Sequence, residues 1–196
     1  DCFFTGVSEG AIGADRIIKM MDINDDRLVI EEKGIYSIEN FLSARRLMYW
    51  QVYLHKTTVS AEKMMISLIN RAKYLMQNGQ NLIATDELCY FLKGNFSLSD
   101  FKNNEASLEN FLTLDDFDIW GAIKLWKNSQ DYILKNLSRM FLDRNLFKIN
   151  LRNEEFSQGE IEDEKSKLLK KLQIPEKDLP YFFNHGVLSN LAYLNT

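Results

Sequence analysis

Cysteine, histidine and proline are scarce in this sequence, with two of each among 196 residues. Two cysteines, Cys2 and Cys89, cannot build the disulfide framework of a small secreted domain, so a reducing compartment, the cytoplasm, is expected. Two histidines, His55 and His185, leave too few nitrogen and sulfur donors for an ordinary zinc site. The composition therefore argues against a disulfide-rich scaffold and against a zinc protein.

Long apolar runs and an excess of basic residues are missing as well. No run approaches the roughly 20 apolar residues that a membrane-spanning helix needs, and no signal peptide is recognisable. The net charge of −4 provides no basic field for nucleic acid. No Gly-x-Ser-x-Gly motif supports nucleophilic serine chemistry. We therefore expect neither a membrane nor nucleic acid as a dedicated partner of this protein.

The composition is that of an ordinary globular protein, with 45% of the residues apolar and 27% charged. Helical periodicity dominates the chain. We therefore predict a mainly α fold. It should be a portion of a helical bundle organised on one long helix, with a small β-hairpin or strand pair and a C-terminal α+β segment.

The central stretch from Ser37 to Gly79 contains neither proline nor glycine before its last residue. Ser37 is a plausible N-cap, because its hydroxyl can accept from a free backbone N–H. Gly79 is a plausible stop, because glycine tolerates a left-handed backbone. The pattern predicts one long helix, or two end to end with a bend near Thr57-Thr58-Val59, where β-branched side chains lose rotamer freedom.

One face of this stretch carries two cations and two phenols. At about 100° per residue, Arg45, Tyr49, Tyr53 and Lys56 fall within an arc of roughly 80° and span about 16 Å. Arginine and lysine can hold phosphates, and phenols can pack a sugar or base. The alternative is that the tyrosines are core residues and the cations are solvated, as on many amphipathic helices.

The N-terminal part is predicted to be a loop, a short helix and a strand pair. The glycines at positions 6, 10 and 13 lack the phosphate-loop spacing, and we expect a close backbone approach there. A helix follows at about 14–21, and a turn at Asn24-Asp25-Asp26 should precede a second strand at 27–31. A calcium loop is the weaker alternative, because Arg27 and Lys33 occupy positions that need glycine and glutamate.

Helices are predicted for most of the remaining chain. One should cover 81–93, with Thr85 or Asp86 near its start. The stretch 95–110 should be irregular, although Leu98-Ser-Asp-Phe could begin a turn of helix. Thr113 should cap the next helix, with Asp115 and Asp116 in its first turn; the same acids could instead be metal ligands. Another helix should start at Asn128 or Ser129. The remaining elements should be a strand at 146–151, an amphipathic helix at 157–172 and a partial segment at 181–194.

Three segments together resemble one family. They are Asp1-Cys2 to Met21, Arg144-Asn-Leu-Phe-Lys-Ile, and the run Ser43-Ala-Arg45-Arg-Leu-Met-Tyr49-Trp-Gln-Val-Tyr53-Leu-His55-Lys56. They resemble the HD-domain phosphohydrolases, most closely the deoxynucleotide triphosphohydrolase branch. The resemblance implies an HD-domain-type helical bundle that binds a divalent metal through two histidines and two aspartates and removes triphosphate from a deoxynucleoside triphosphate.

The resemblance also implies roles for individual residues. Arg45 matches a phosphate-contacting arginine, and Tyr53 matches a tyrosine that packs on the sugar and helps to exclude a ribose 2′-hydroxyl. Tyr49 stands where the animal enzyme has a histidine near the phosphates. Asp1 matches an aspartate that contacts the sugar; the alternative is a metal ligand. The positions of His55 and Lys56 correspond to the surroundings of a regulatory nucleotide site between subunits.

The metal motif itself is absent from the sequence, so no metal ligand and no catalytic residue is predicted in this chain. The chain opens inside a motif-like run and ends on an unfinished apolar pattern, which predicts a fragment that is inactive alone. Residues 1–150 would be the C-terminal portion of the HD helical domain, and 151–196 a smaller, truncated segment. The expected partners of the full-length protein are its nucleotide substrate, a divalent metal and further copies of itself.

A non-catalytic helical module for regulation or assembly is the alternative hypothesis. Trp120, Trp126 and Tyr181-Phe-Phe could form a partner surface, although such aromatic residues more often belong to a core.

Overall fold

The computed structural model describes residues 2–188 and divides them into two compact units. The first unit contains residues 2–59 and 186–188, and the second contains Ser60–His185. The predicted division of the chain at residue 150 stays a prediction. Within residues 2–188, no helix combines the length and the apolarity that crossing a bilayer requires.

The architecture is mainly α with one two-stranded antiparallel sheet, as predicted. The ten α-helices of the described residues are α1 (Cys2–Thr5), α2 (Ala14–Lys19), α3 (Ile35–Met48), α4 (Lys56–Gln77), α5 (Asp86–Lys93), α6 (Leu98–Asn103), α7 (Glu105–Thr113), α8 (Asp116–Trp126), α9 (Tyr132–Leu142) and α10 (Gln158–Leu172). The strands are β1 (Met21–Asn24) and β2 (Arg27–Ile30).

The hairpin forms where the turn chemistry predicts it. Asn24 pairs with Arg27, and the two residues between them, Asp25 and Asp26, have φ angles of 50° and 57°. Two consecutive positive φ angles are typical of a type I′ turn, whose twist matches that of the strands, and aspartate tolerates this conformation better than most residues. The acidic run therefore serves as a turn.

The central stretch is two helices, and its boundaries differ from those predicted. Ser37 is not the N-cap, because a 3₁₀ turn at Glu32–Gly34 leads directly into α3 at Ile35. The interruption lies at Leu54 and His55, a few residues before the expected bend. The end is as predicted: Gly79 has a φ of +83°, and the N–H groups of Gly79 and Gln80 donate to the carbonyl oxygens of Met76 and Leu75.

Three further boundaries correct the sequence analysis. Asp115, and not Thr113, caps α8: its carboxylate accepts from the N–H groups of Phe117 and Asp118. Thr113 instead ends α7, where its hydroxyl donates to the carbonyl of Glu109 at 3.0 Å. In the stretch expected to be irregular at 95–110, α6 begins at Leu98, where the sequence allowed a turn of helix, and most of α7 follows, which was not expected.

The predicted strand at Leu146–Leu151 does not form, since these residues carry no regular secondary structure. Their β-branched and apolar pattern has no partner strand in the second unit, where the described residues form no sheet. The Phe147 carbonyl accepts instead from the buried Ser60 hydroxyl at 2.6 Å. The predicted segment at 181–194 lies partly outside the described residues.

The hydrophobic core lies in the second unit. Its fully buried side chains include Met64, Leu68, Ile123, Leu134 and Leu137, contributed by α4, α8 and α9. By contrast, the described part of the first unit buries few apolar side chains and exposes many, among them Phe3 at 90% and Phe4 at 89%. The long α4 therefore belongs to the core of the second unit for most of its length.

Candidate functional site

The predicted cation-and-phenol face begins at the end of α3 and continues into a π-helical turn at Tyr49–Tyr53. The N–H of Leu54 donates to the Tyr49 carbonyl at 2.8 Å, five residues back. π-helical turns are rare in proteins overall, but those that do occur are often found at functional sites. The π-helical turn changes the direction in which Tyr53 and the residues after it leave the helix.

Arg45, Tyr49 and Tyr53 lie next to one another. An Arg45 Nη2 atom lies 3.4 Å from the Tyr49 hydroxyl, and the guanidinium carbon lies 5.2 Å from the centre of the same ring. The rings of Tyr49 and Tyr53 meet edge to face, with centres 5.2 Å apart. A cation over a ring face and an edge-to-face pair are both attractive arrangements. These contacts hold the three side chains as one group, which we name the Arg45 cluster.

The Arg45 cluster borders a concavity of about 240 Å³ within the first unit. Ala44 and Met48 are buried on the same side of α3, and a guanidinium and two phenols supply the polar groups. The residues that line it are Gly10, Ile12, Phe41, Ala44, Arg45, Met48, Tyr49 and Tyr53. This volume is smaller than the roughly 300–1,000 Å³ of pockets that take whole drug-sized ligands.

Gly10 gives the concavity its second wall. A Cβ atom at this position would lie 2.5 Å from the Cys2 Sγ and 2.6 Å from the Met48 Sδ. A side chain at this residue would therefore force the side chains of Cys2 and Met48 to move. The expected close backbone approach is confirmed, at Gly10.

We expect Gly10→Ala to destabilise the first unit by about 1–2 kcal/mol, because the added methyl group overpacks the contact with Cys2 and Met48. Gly13→Ala is the matched control, since the nearest atom to a Cβ there is at 3.9 Å. Denaturant titration of both variants measures the difference. Equal unfolding midpoints for the two variants would contradict the close approach.

The other predicted site residues lie apart from the concavity or outside the described chain. Lys56 is the first residue of α4 and is not among the lining residues. His55 is exposed, and its Nδ1 accepts from the Thr57 N–H at 3.3 Å. Asp1 lies outside the described residues. The substrate role of Asp1 and the regulatory roles of His55 and Lys56 therefore stay predictions.

A second group of charged residues was not found from the sequence. In the second unit, Arg71 of α4 donates through Nε and Nη2 to the Asp131 carboxylate at 3.1 and 2.6 Å, and through Nη1 to Asp178 at 3.4 Å. The three side chains are only 11–14% exposed. They border a concavity of about 460 Å³. No local pattern marks Arg71, because its partners are 60 and 107 residues away.

The contact between Arg71 and Asp131 changes the pKa of each group in the direction that favours its charged form. The hydrogen bond to Asp131 raises the pKa of Arg71 above its ordinary value despite burial. For Asp131, burial by itself would raise the pKa. The hydrogen bonds from Arg71 and from the Leu134 N–H outweigh burial, and they hold the pKa of Asp131 below its ordinary value. Arg71 is thus engaged by carboxylates, which leaves it a structural link between α4, the start of α9 and the residue Asp178.

Metal binding finds no donor set in this part of the protein. Among residues 2–188, no group of three or more His, Cys, Asp or Glu side chains is placed to hold a metal ion. Asp115 and Asp118 are engaged in capping α8. The described residues therefore do not fit the divalent metal that the family resemblance implies.

The aromatic residues of the alternative partner surface belong mainly to the core. Trp126 is 2% exposed, and its indole N–H donates to the Ile83 carbonyl at 3.0 Å. Tyr181 and Phe182 pack against the core of the second unit, and Trp120 contacts Phe141 with ring centres 5.4 Å apart. Trp126 is thus a core residue, which is the use that the sequence analysis considered more common for such residues, whereas Trp120 is 42% exposed.

Comparison with known proteins connects the chain to the HD superfamily. Residues 12–89 match the model of the family described as the HD associated region. The chain resembles a solved phosphohydrolase from Bacteroides thetaiotaomicron VPI-5482 with a TM-score of 0.83 and 50% sequence identity, over 92% of this chain and 45% of that one. These are likenesses, to the HD associated region over less than half of the chain and to a phosphohydrolase of which this chain covers 45%.

Curated relatives are longer than this chain. The uncharacterized protein YwfO of Bacillus subtilis (strain 168) is 35% identical over 75% of this chain and 32% of its own length. An uncharacterized protein of Mycoplasma pneumoniae is 29% identical over 76% of this chain and 36% of its own length. The chain thus spans about a third of the curated relatives that it matches.

Proposed function

We propose that this chain is the substrate-facing part of a longer, metal-dependent HD-superfamily phosphohydrolase of the deoxynucleotide triphosphohydrolase type. The likeness to a solved phosphohydrolase supports a phosphohydrolase-like role. The observation that carries the proposal is the Arg45 cluster at the edge of a concavity. The metal and its ligands would be supplied by residues of the longer protein outside this chain.

Arg45 would bind the phosphates of the nucleotide. A guanidinium offers donors in a planar fork that matches phosphate oxygens, and it stays charged at physiological pH. Arg45 is exposed, and its guanidinium lies beside the uncharged Tyr49 hydroxyl, so its positive charge would face an incoming anion. The Tyr49 hydroxyl, 3.4 Å from the guanidinium, is placed to share the same anion.

Tyr53 would pack against the sugar. It is 39% exposed and lines the concavity together with the apolar Ile12 and Phe41. A phenol ring against the sugar offers apolar contact and leaves little space for an additional hydroxyl group. This arrangement would favour a deoxyribose over a ribose.

Hydrolysis of a nucleotide panel by the full-length protein tests the proposed function. Deoxynucleoside triphosphates, ribonucleoside triphosphates and monophosphates are incubated with different divalent ions, and the released triphosphate, pyrophosphate and phosphate are separated. We expect triphosphate release from deoxynucleoside triphosphates. Absence of turnover for every nucleotide and ion would refute the proposal.

Tyr53→Ala should reduce the preference for deoxyribose over ribose by about tenfold in the ratio of kcat/KM values, because the wall against the sugar is removed. Tyr53→Phe should keep most of the preference, since the ring remains. Tyr36→Ala is the control, because Tyr36 is 79% exposed and lies outside the concavity. A preference that is unchanged in Tyr53→Ala would show that the ring does not contact the sugar.

A further inference from the structure

The Arg45 cluster ends at a break in the backbone. After the π-helical turn, the Leu54 N–H donates to the Tyr49 carbonyl, and the His55 N–H reaches the Val52 carbonyl at 3.3 Å. A new helix, α4, begins at Lys56. The direction in which Tyr53 leaves the backbone therefore depends on how the residues on the two sides of this break are held together.

Thr58 spans the break. Its hydroxyl donates to the Val52 carbonyl oxygen at 2.8 Å, six residues back. A threonine hydroxyl inside a helix ordinarily reaches the carbonyl three or four residues back. Here it joins the first turn of α4 to the π-helical turn, and at 2.8 Å it is shorter than the backbone bond to the same carbonyl.

We propose that Thr58 is a positioning residue for the nucleotide site. By holding the Val52 carbonyl, its hydroxyl fixes the end of the π-helical turn, and this fixes Tyr53 against Tyr49 and so completes the Arg45 cluster. The inference rests on the proposed function, because Thr58 lines no part of the concavity and acts only through Tyr53.

Two substitutions test the contribution of the Thr58 hydroxyl separately from the contribution of the shape of the side chain. Thr58→Val keeps the β-branched shape and removes the donor, whereas Thr58→Ser keeps the donor. Thr57→Val is the matched control, because Thr57 is the preceding residue, is also exposed, and contacts the break through its backbone N–H, which donates to the His55 Nδ1. Each variant is made in the full-length protein and compared with the wild type.

Amide hydrogen exchange and steady-state kinetics are the two measurements. Thr58→Val should speed exchange at Leu54 and His55 about fivefold, as expected for the loss of one hydrogen bond. It should also raise KM for a deoxynucleoside triphosphate about fivefold, with kcat changed less than twofold, because substrate binding is the property at stake. Thr58→Ser and Thr57→Val should resemble the wild type in both measurements.

The outcomes distinguish this inference from the proposed function. An active wild type together with an unchanged KM in Thr58→Val would overturn the positioning role alone, as would equal losses in Thr58→Val and Thr58→Ser. A wild type that turns over no nucleotide would overturn the proposed function and the positioning role with it. Faster exchange and a higher KM in Thr58→Val only would support the inference.

Discussion

Arg45→Ala in the full-length protein is expected to lower kcat/KM for a deoxynucleoside triphosphate by about 100-fold, equivalent to about 2.7 kcal/mol of transition-state binding. The loss follows because a planar cation at the edge of the concavity would no longer contact the phosphates. Arg45→Lys should recover only a part of the activity, since an ammonium group cannot reproduce the two-pronged contact. Initial rates of triphosphate release measure the effect.

Arg46→Ala is the control for Arg45→Ala. Arg46 is the next residue of α3, is exposed, and does not line the concavity. The two variants remove the same charge from the same helix, so a general electrostatic effect would appear in both. Similar rates for Arg45→Ala and the wild type, or equal losses for the two variants, would count against a phosphate contact by Arg45.

Arg71→Met is expected to destabilise the second unit by about 3 kcal/mol, because it leaves the largely buried carboxylates of Asp131 and Asp178 without their cation. Methionine keeps much of the volume of the side chain, so the loss is mainly electrostatic. Denaturant titration of the unfolding transition measures it. Lys167→Met is the control and should change stability far less, since Lys167 is 62% exposed and its ion pairs are in contact with water.

The effect of Arg71→Met should depend on pH. The pKa of Asp131 is lower in the folded protein than in the unfolded chain, so its contribution to stability is complete above about pH 4 and is lost as the pH falls through the folded-state pKa. The difference between the wild type and Arg71→Met should therefore shrink in acid. A difference that grows below pH 4 would show that the carboxylate is not stabilised by Arg71.

Local patterns predicted the elements whose causes are local. The type I′ turn at Asp25 and Asp26, the helix stop at Gly79 and the mainly α class follow from conformational preferences within a few residues of each position. The errors at Ser37 and Thr113 have a common reason. At α8 a capping side chain was correctly expected but is supplied by Asp115, whereas α3 begins after a 3₁₀ turn with Gly34 at the N-cap position and no side-chain cap. In both cases the path of the preceding backbone decided where the helix starts.

The strand predicted at Leu146–Leu151 failed for a non-local reason. A strand needs a partner, and the pattern of a single segment does not reveal whether one exists. In the second unit the described residues offer no strand to pair with, and the Phe147 carbonyl bonds to a side chain instead. The same limit applies to Arg71, whose two carboxylate partners come from distant parts of the chain.

Some features of the candidate site were predicted from the sequence, and others depend on the tertiary structure. Helical spacing correctly placed Arg45, Tyr49 and Tyr53 next to one another, because side chains four residues apart are neighbours on the surface of an α-helix. It did not reveal the π-helical turn, and it extended the face to Lys56 as if the helix were straight. The interruption after Tyr53 and the place of Lys56 outside the concavity depend on the backbone path.

By itself, the sequence determined the helical class, the hairpin and the order of the cation and phenols along α3, since short-range sterics and periodicity govern these features. Only the tertiary structure decided that Gly10 closes the concavity, that Thr58 joins two helices across a break, and that Arg71 is held between Asp131 and Asp178. Each of the latter depends on backbone geometry or on residues far apart in the chain, and neither composition nor periodicity contains that information.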